Sequence, residues 1–352
     1  MSPSPSLPAG GAADDRSPDL PAGLRRVTDA DADGLIALVG AAYDEYPGCV
    51  LDLPGIDDDL PIPGTTAGRR GSAWWVVERD GRIVGSIGCG PVDADGQVEL
   101  KRLYLDAAVR GQGLASRLVR LVEGHAAGLG ARAVSLWSDT RFAAAHGRYA
   151  ALGYARTGAS RELHDPSDTT EWHFVREVTP RAVARTVTWD GPHGRDVATL
   201  VALPDGWLLT SSVDGGEVVS RVEVDGDWRT RVAEVRTGAT TRRLSTDASG
   251  RWWRDGHTAP ELDGCVDVDV EVSPLTNTLP IRRLLATGTD EAAVPAAWLR
   301  VPGPAVERLD QRYVRIDEHT WRYESPGFAT ELTVDADGLV VRYGTWWSAV
   351  TA

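Results

Sequence analysis

Val109-Arg110-Gly111-Gln112-Gly113-Leu114-Ala115 is a glycine-rich turn running straight into an apolar helical pattern. Small residues there let the backbone approach a ligand, and the helix's unpaired first N–H groups face an anion such as a pyrophosphate. By itself the pattern serves equally well as a plain loop. The strand before it adds a second signal. In Val98-Glu99-Leu100-Lys101-Arg102-Leu103-Tyr104-Leu105 the apolar phase runs 98, 100 and then 103, 105. A slip of one residue within a strand is the sequence trace of a β-bulge, which frees backbone N–H groups and opens a slot beside the neighbouring strand. A slot that ends at an anion-binding turn suits a long ligand with a pyrophosphate, and coenzyme A is one.

The elements that position these residues alternate. Thr28 with Asp31 three residues on opens a helix in the manner of a capping box, and Leu35, Ile36, Leu38, Val39 and Ala42 give it an apolar face. Runs 73–79 and 82–89 are strands about Asp80-Gly81, a strong hairpin signal, and 97–105 is a third. A helix over about 113–127, a strand at 133–137, a helix at 141–152 and strands at 154–162 and 171–178 complete an α/β (α+β) order, a mixed sheet with flanking helices. Pro180 and a change of pattern put a boundary near 180. Beyond it, β-rich runs recur every 8–12 residues between Asp-Gly and Ser-Gly turns, with one helix at about 280–287, which predicts an antiparallel meander curling into a sandwich or barrel. The predicted organisation is a disordered leader (1–22), an α/β domain (23–179) and a β-rich domain (183–352).

Arg110-x-x-Gly113-x-Ala115 in that strand order, followed by Ala145-x-x-x-Tyr149-x-x-x-Gly153-Tyr154, resembles the GNAT acetyltransferases over about residues 24–178. The resemblance implies acetyl transfer from acetyl-CoA to a small-molecule acceptor, an amine, by direct attack in a ternary complex. It implies that backbone N–H groups of Arg110, Gly111, Gln112, Gly113, Leu114 and Ala115 bind the pyrophosphate. It implies too that those near Leu103 and Leu105 hold the pantetheine arm and polarise the thioester carbonyl. Glu99 matches the position of the family's general base and Tyr149 that of its general acid; their plain readings are a solvated strand carboxylate and a packing aromatic. His146, one turn before Tyr149, is an alternative base or a structural histidine. In Trp137-Ser138-Asp139-Thr140-Arg141-Phe142, Phe142 stands where many relatives have Asn, and Asp139 falls with the acceptor residues. The loop 44–63 holds Asp52, Asp57, Asp58 and Asp59 beside Tyr43 and Tyr46, in the stretch that covers the acceptor in this family. An acidic, aromatic lid there suits a cationic amine, unless the loop is merely solvated. The rival reading of a different class is a non-catalytic protein that senses CoA.

The motif from Gly264-Cys265-Val266-Asp267 through Asn277-Thr278-Leu279-Pro280-Ile281-Arg282-Arg283-Leu284, with Trp253-Arg254-Asp255-Gly256 and Gln311-x-Tyr313, resembles the glycolipid-binding domain family over about 183–350. That resemblance implies a curved antiparallel half-barrel with a lipid or glycolipid ligand. Asn277, Arg282 and Arg283 then reach a head group, and tryptophan faces line a cavity; otherwise Asp267 pairs with Arg282 and the tryptophans are core.

Composition narrows the classes. Residues 1–180 carry 18 basic and 25 acidic side chains, so this half is −7 and the remainder of the −14 total is also −7. Neither half is a basic surface for nucleic acid, and no nucleic-acid partner is expected. No apolar run reaches the length of a membrane span. Cys49, Cys89 and Cys265 lack metal-ligand or disulfide spacing, so no metal and a cytoplasmic location are expected. Of 13 tryptophans, only Trp74, Trp75, Trp137 and Trp172 precede the boundary, which points to two different kinds of domain.

Overall fold

In the computed structural model, which describes residues 20–301, 303 and 305–351, the chain forms two compact units, 17–181 and 182–352. Most of the leader expected at 1–22 lies outside the described residues. The first unit contains β1 (Leu24–Arg26), α1 (Ala32–Tyr43), α2 (Pro63–Arg70), β2 (Ala73–Arg79), β3 (Arg82–Val92), β4 (Gln97–Leu105), α3 (Leu114–Gly128), β5 (Ala133–Asp139), α4 (Ala143–Ala151), β6 (Ala155–Glu162) and β7 (Thr170–Glu177). Its seven strands make one mixed sheet in the order β1-β2-β3-β4-β5-β7-β6. Alternation along β2 feeds two cores: Trp75 and Val77 pack with Leu118, Leu121 and Val122 of α3, while Trp74 and Val76 pack with Leu35 and Val39 of α1. The β2–β3 turn has Asp80 and Gly81 both at positive φ, the geometry an Asp-Gly hairpin demands.

Helix α2 was not expected, yet both its ends are written in the sequence: Pro63 occupies the first turn and Gly71 closes the helix at φ 57°.

The expected slip in β4 is present. Ser86 pairs with Tyr104 and Gly88 with Lys101, so one β3 residue faces two on β4, Arg102 and Leu103. Arg102 takes φ 54°, a left-handed conformation costing a non-glycine residue roughly 1–2 kcal/mol. On its other edge β4 runs parallel to β5 only from Gln97–Ala133 to Leu100–Leu136. Past that point β4 continues along β3 and β5 along β7, and the two strands part.

In the second unit fifteen strands form one sheet. The first eight, from Arg185–Gly191 to His257–Thr258, lie side by side in chain order; the other seven, from Asp267–Val270 to Trp347–Thr351, do likewise. The sets join where Trp347–Thr351 pairs with Arg185–Gly191, and every pairing is antiparallel except that of Asp267–Val270 with Glu291–Leu299. The sheet does not close into a barrel; its edges are His257–Thr258 and Asp267–Val270. Thr230 narrows the gap, donating its N–H to the Val266 carbonyl (3.3 Å) and accepting the Val268 N–H at Oγ1 (3.1 Å). Helix α5 (Thr278–Thr287) joins two buried clusters, Leu279 packing with Trp189, Trp228 and Trp252, and Ile281 and Leu284 with Tyr313 and Trp321.

Candidate functional site

Where β4 and β5 part, a cavity of about 340 Å³ opens, a size suited to a small ligand. Leu103 and Leu105 line one side, Trp137, Ser138 and Asp139 the other, and Arg110, Gly111, Gly113, Leu114 and Ala115 one end. Because the parallel pairing stops at Leu100, the β4 backbone beyond it has no strand partner on the cavity side. Helix α3 begins at Gly113 (φ 79°) with no side-chain cap, so its first-turn amides remain available to a ligand. A Cβ placed on Gly111 or Gly113 would meet nothing within 4 Å, so space stands open in front of the turn. Backbone amides, uncapped and unobstructed, are what a pyrophosphate needs from this turn.

The side chains of two residues of the turn bond within the protein. The Arg110 guanidinium donates to the Leu105 carbonyl (2.9 and 3.1 Å) and to Glu45 (2.7 Å), stapling the turn to the chain beyond α1. Gln112 does not line the cavity; its Nε2 donates to the Ala108 carbonyl at 3.0 Å. The cation overlooked in the sequence is Arg148. It lines the cavity from α4, is exposed, and makes no ion pair among the described residues.

Tyr149 is buried and lines the cavity, and no described residue hydrogen-bonds its hydroxyl. Burial, with the neighbouring Tyr104 hydroxyl, pushes its acidity well below that of free phenol, so the proton stays on at neutral pH. Glu99 sits differently from expectation. It does not line the cavity, and it pairs with Lys101 (2.9 Å) and Arg161 (3.9 Å). Among the carboxylates that do line it is Glu171 of β7, which accepts from Arg161 Nε at 2.7 Å. Burial raises the Glu171 pKa, with Arg161 opposing. No local motif marks Glu171; its place follows from the order β5-β7-β6, which sets it opposite Asp139. His146 does not line the cavity: its ring lies 5.1 Å from Trp172 and 5.3 Å from Phe174, and burial lowers its pKa.

At the far end of the cavity are Tyr43, Tyr46, Phe142 and Asp139. Tyr46 and Phe142 have ring centroids 4.6 Å apart, and the Tyr43 and Tyr104 hydroxyls are 3.2 Å apart. Asp139 is buried and grips Arg141 Nε and a terminal nitrogen at 3.0 and 2.6 Å. The acidic lid takes another form. None of Asp52, Asp57, Asp58 and Asp59 lines the cavity; Asp57 and Asp59 are buried against Arg102, each 2.6 Å from a guanidinium nitrogen, and Asp58 meets Arg70. Asp57 and Asp59 thus hold the bulge, while Tyr43 and Tyr46 line the cavity.

In the second unit Asn277, Arg282 and Arg283 all bond internally. Asn277 Nδ2 donates to the Tyr313 hydroxyl (2.9 Å). Arg283, not Arg282, forms the buried pair with Asp267, bidentate at 2.9 and 2.6 Å. Arg282 donates to the Asp337 carbonyl and lies 4.7 Å above the Trp228 ring. Trp189, Trp228, Trp252, Trp253 and Trp321 are each at most 2% exposed, so these tryptophans are core. Of the two tandem pairs, Trp252-Trp253 is wholly buried, whereas Trp346 is exposed beside buried Trp347.

Among the described residues no cluster of His, Cys, Asp or Glu is arranged to hold a metal, and no helix is long and apolar enough to cross a membrane.

Comparison with known proteins adds the family. Residues 39–154 match the model of the "Acetyltransferase (GNAT) family", and residues 187–349 that of the family described as "Putative glycolipid-binding". Human N-acetyltransferase 8 is 32% identical over 114 residues, 31% of this chain and 50% of that protein. Human N-acetylaspartate synthetase is 38% identical over 90 residues, 26% of this chain and 30% of that protein. The chain therefore spans half or less of the length of these relatives. Among solved structures, a DUF1089 family protein from Pseudomonas aeruginosa is 30% identical, covering 44% of this chain and 91% of its own at a TM-score of 0.37. The Salmonella typhimurium protein yncA, solved with its cofactor acetyl-CoA, is 18% identical over 46% of this chain and 96% of its own, at a TM-score of 0.36. This chain thus carries in tandem a segment, residues 39–154, that matches the acetyltransferase (GNAT) family model and a second, residues 187–349, that matches the family described as "Putative glycolipid-binding".

Proposed function

We propose that residues 23–179 transfer an acetyl group from acetyl-CoA to an amine acceptor by direct attack in a ternary complex. The observation that carries this reading is the slot itself, in which strands parting at Leu100–Leu136 lead to an uncapped helix end behind two unobstructed glycines. The first-turn amides of α3 would hold the pyrophosphate, with Arg148 adding charge from α4. The unpaired β4 backbone near Leu103 and Leu105 would take the pantetheine arm and the carbonyl oxygen. Donors fixed in advance toward a developing oxyanion are often the largest catalytic contribution. Tyr149, which keeps its proton at rest, would hydrogen-bond the departing sulfur and hand over that proton as charge develops there.

Thiol release from acetyl-CoA with an amine panel tests the reading. Turnover supports it; tight acetyl-CoA binding without turnover across the panel would instead favour a CoA sensor. For residues 183–352 we infer a lipid-like ligand on the strength of the family match alone. Its site is not the tryptophan core, which is packed. Titration with lipid or glycolipid micelles, followed by tryptophan emission and thermal stability, tests that inference, and no change in either signal would overturn it. Cys49, Cys89 and Cys265, none of them in a disulfide, fit a reducing, cytoplasmic setting.

A further inference from the structure

The far end of the cavity is built from three segments tied to one another. Ser167 Oγ accepts the Val50 N–H at 3.0 Å and donates to its carbonyl at 3.2 Å. Arg141 donates to Thr169 Oγ1 at 3.3 Å, while also holding Asp139. Three carboxylates, Asp139, Asp165 and Glu171, line this end; the cations nearest them, Arg141 and Arg161, are not among the lining residues. Asp165 forms no ion pair among the described residues; its oxygens accept from the Thr169 N–H (2.7 Å) and hydroxyl (2.8 Å). Of the cations that line the cavity, Lys101 pairs with Glu99, Arg102 with Asp57 and Asp59, and Arg110 with Glu45, so the three acids of this end have only Arg141 and Arg161 as bonded cations among the described residues. Tyr43, Tyr46 and Phe142 add an aromatic wall to the cavity, and aromatic faces attract a cation.

Resting on the acetyl-transfer reading, we infer that the acceptor is a cationic amine bearing no carboxylate, its body against the aromatic wall, and that Glu171 is the base that deprotonates it. The acceptor arrives as an ammonium ion. Glu171 takes one proton, and the freed nitrogen lone pair forms a bond to the thioester carbonyl carbon. As the C–S bond breaks, sulfur leaves with the bonding pair and receives a second nitrogen proton, relayed by Tyr149. The amide keeps the third, and Glu171 returns its proton to solvent.

Glu171 is faced by Asp139 from β5, Arg161 from β6 and Glu99 from β4, with His173 on its own strand. Burial and the two neighbouring carboxylates favour its taking up a proton, and Arg161 keeps it from being permanently neutral. Glu99, held by Lys101 and set outside the cavity lining, lacks that access.

The test uses the full chain and three matched pairs: phenethylamine with phenylalanine, tyramine with tyrosine, and cadaverine with lysine, plus aspartate. In at least one pair the decarboxylated member should have kcat/KM roughly 100-fold higher, about 2.7 kcal/mol of differential transition-state binding at 1.36 kcal/mol per decade. Faster turnover of the amino acids or of aspartate would overturn the inference while leaving the acetyltransferase reading intact. Absence of thiol release with every amine tested would sink that broader reading as well. Glu171→Gln should lower kcat, remove the acid limb of the pH–rate profile and leave the acetyl-CoA KM unchanged, whereas Glu99→Gln keeps the limb. Persistence of the limb in Glu171→Gln would also overturn the assignment. Asp165→Asn should raise the amine KM severalfold without moving that of acetyl-CoA.

Discussion

Replacing Arg102 by Ala should be among the most damaging single changes in the first unit, because Arg102 ties the bulge to the loop before α2. Its guanidinium holds Asp57 and Asp59 at 2.6 Å each and also donates to the Ile56 carbonyl at 2.9 Å. The Asp57 side chain is 1% exposed and that of Asp59 11%, so removing the arginine leaves two carboxylates out of water without a counter-ion. Breaking a buried pair from one side costs about 3–5 kcal/mol. Alanine recovers nothing from the backbone, because it suffers at φ 54° as arginine does. Glycine relieves that strain, so Arg102→Gly should lose about 1 kcal/mol less than Arg102→Ala. For a unit of this size each kcal/mol lowers Tm by about 2–4 °C, so Arg102→Ala should lower the first unit's transition by roughly 6–20 °C. Scanning calorimetry of the full chain reads this. Combining Arg102→Ala with Asp57→Asn and Asp59→Asn should restore most of the loss, since no uncompensated charge then remains. A fall of under 1 kcal/mol, or a triple variant no better than the single one, would refute the reasoning.

Other outcomes follow from the same geometry. Tyr149→Phe should cut kcat by roughly ten- to a hundredfold with the acetyl-CoA KM unchanged, because only the departing sulfur loses a partner; steady-state kinetics separates the two constants. Arg148→Gln should raise the acetyl-CoA KM several-fold at low ionic strength and hardly at all in ~1 M salt, where an exposed charge is screened. In the second unit, burial lifts the Asp269 pKa to about 6 from an unfolded value of roughly 3.9, with Gln311 and Thr276 as its hydrogen-bond partners. A raised folded pKa gives stability that is complete below pH ~4 and lost as the pH climbs through about 6, some 3 kcal/mol in all. Asp269→Asn should therefore gain on the parent by about that amount between pH 4 and 7, measured by guanidinium midpoints. Parallel curves for the two proteins would count against it.

Features governed by local rules were legible in the sequence. The β4 bulge showed as a shift of apolar phase within eight residues, and the turn before α3 as two glycines whose φ only glycine takes cheaply. Helix α2 is equally local, but its eight residues lie among acidic and proline-rich turns that mask it. What stayed hidden depends on strand order and on pairs far apart in sequence. Arg102 meets Asp57 across 45 residues, and no periodicity distinguishes Asp57 from the solvated Asp58 beside it. Glu171 reaches the cavity because β7 inserts between β5 and β6, a nonlocal choice of neighbours. On α5 the error was one residue: a step of about 100° around a helix decides whether Arg282 or Arg283 meets Asp267, and composition does not fix that phase.

The large sheet of the second unit has two free edges, and its fifteen strands could have offered neighbouring molecules a long template. They offer almost none. One edge is only two residues, His257–Thr258, and the other four, Asp267–Val270, with Thr230 already reaching toward it from across the gap. Short and partly covered edges discourage strand addition between molecules. The unit should thus resist self-association through its backbone despite its β content. A substitution at Thr230 that frees the second edge, such as Thr230→Ala, should reveal itself first as concentration-dependent aggregation rather than as lost ligand binding.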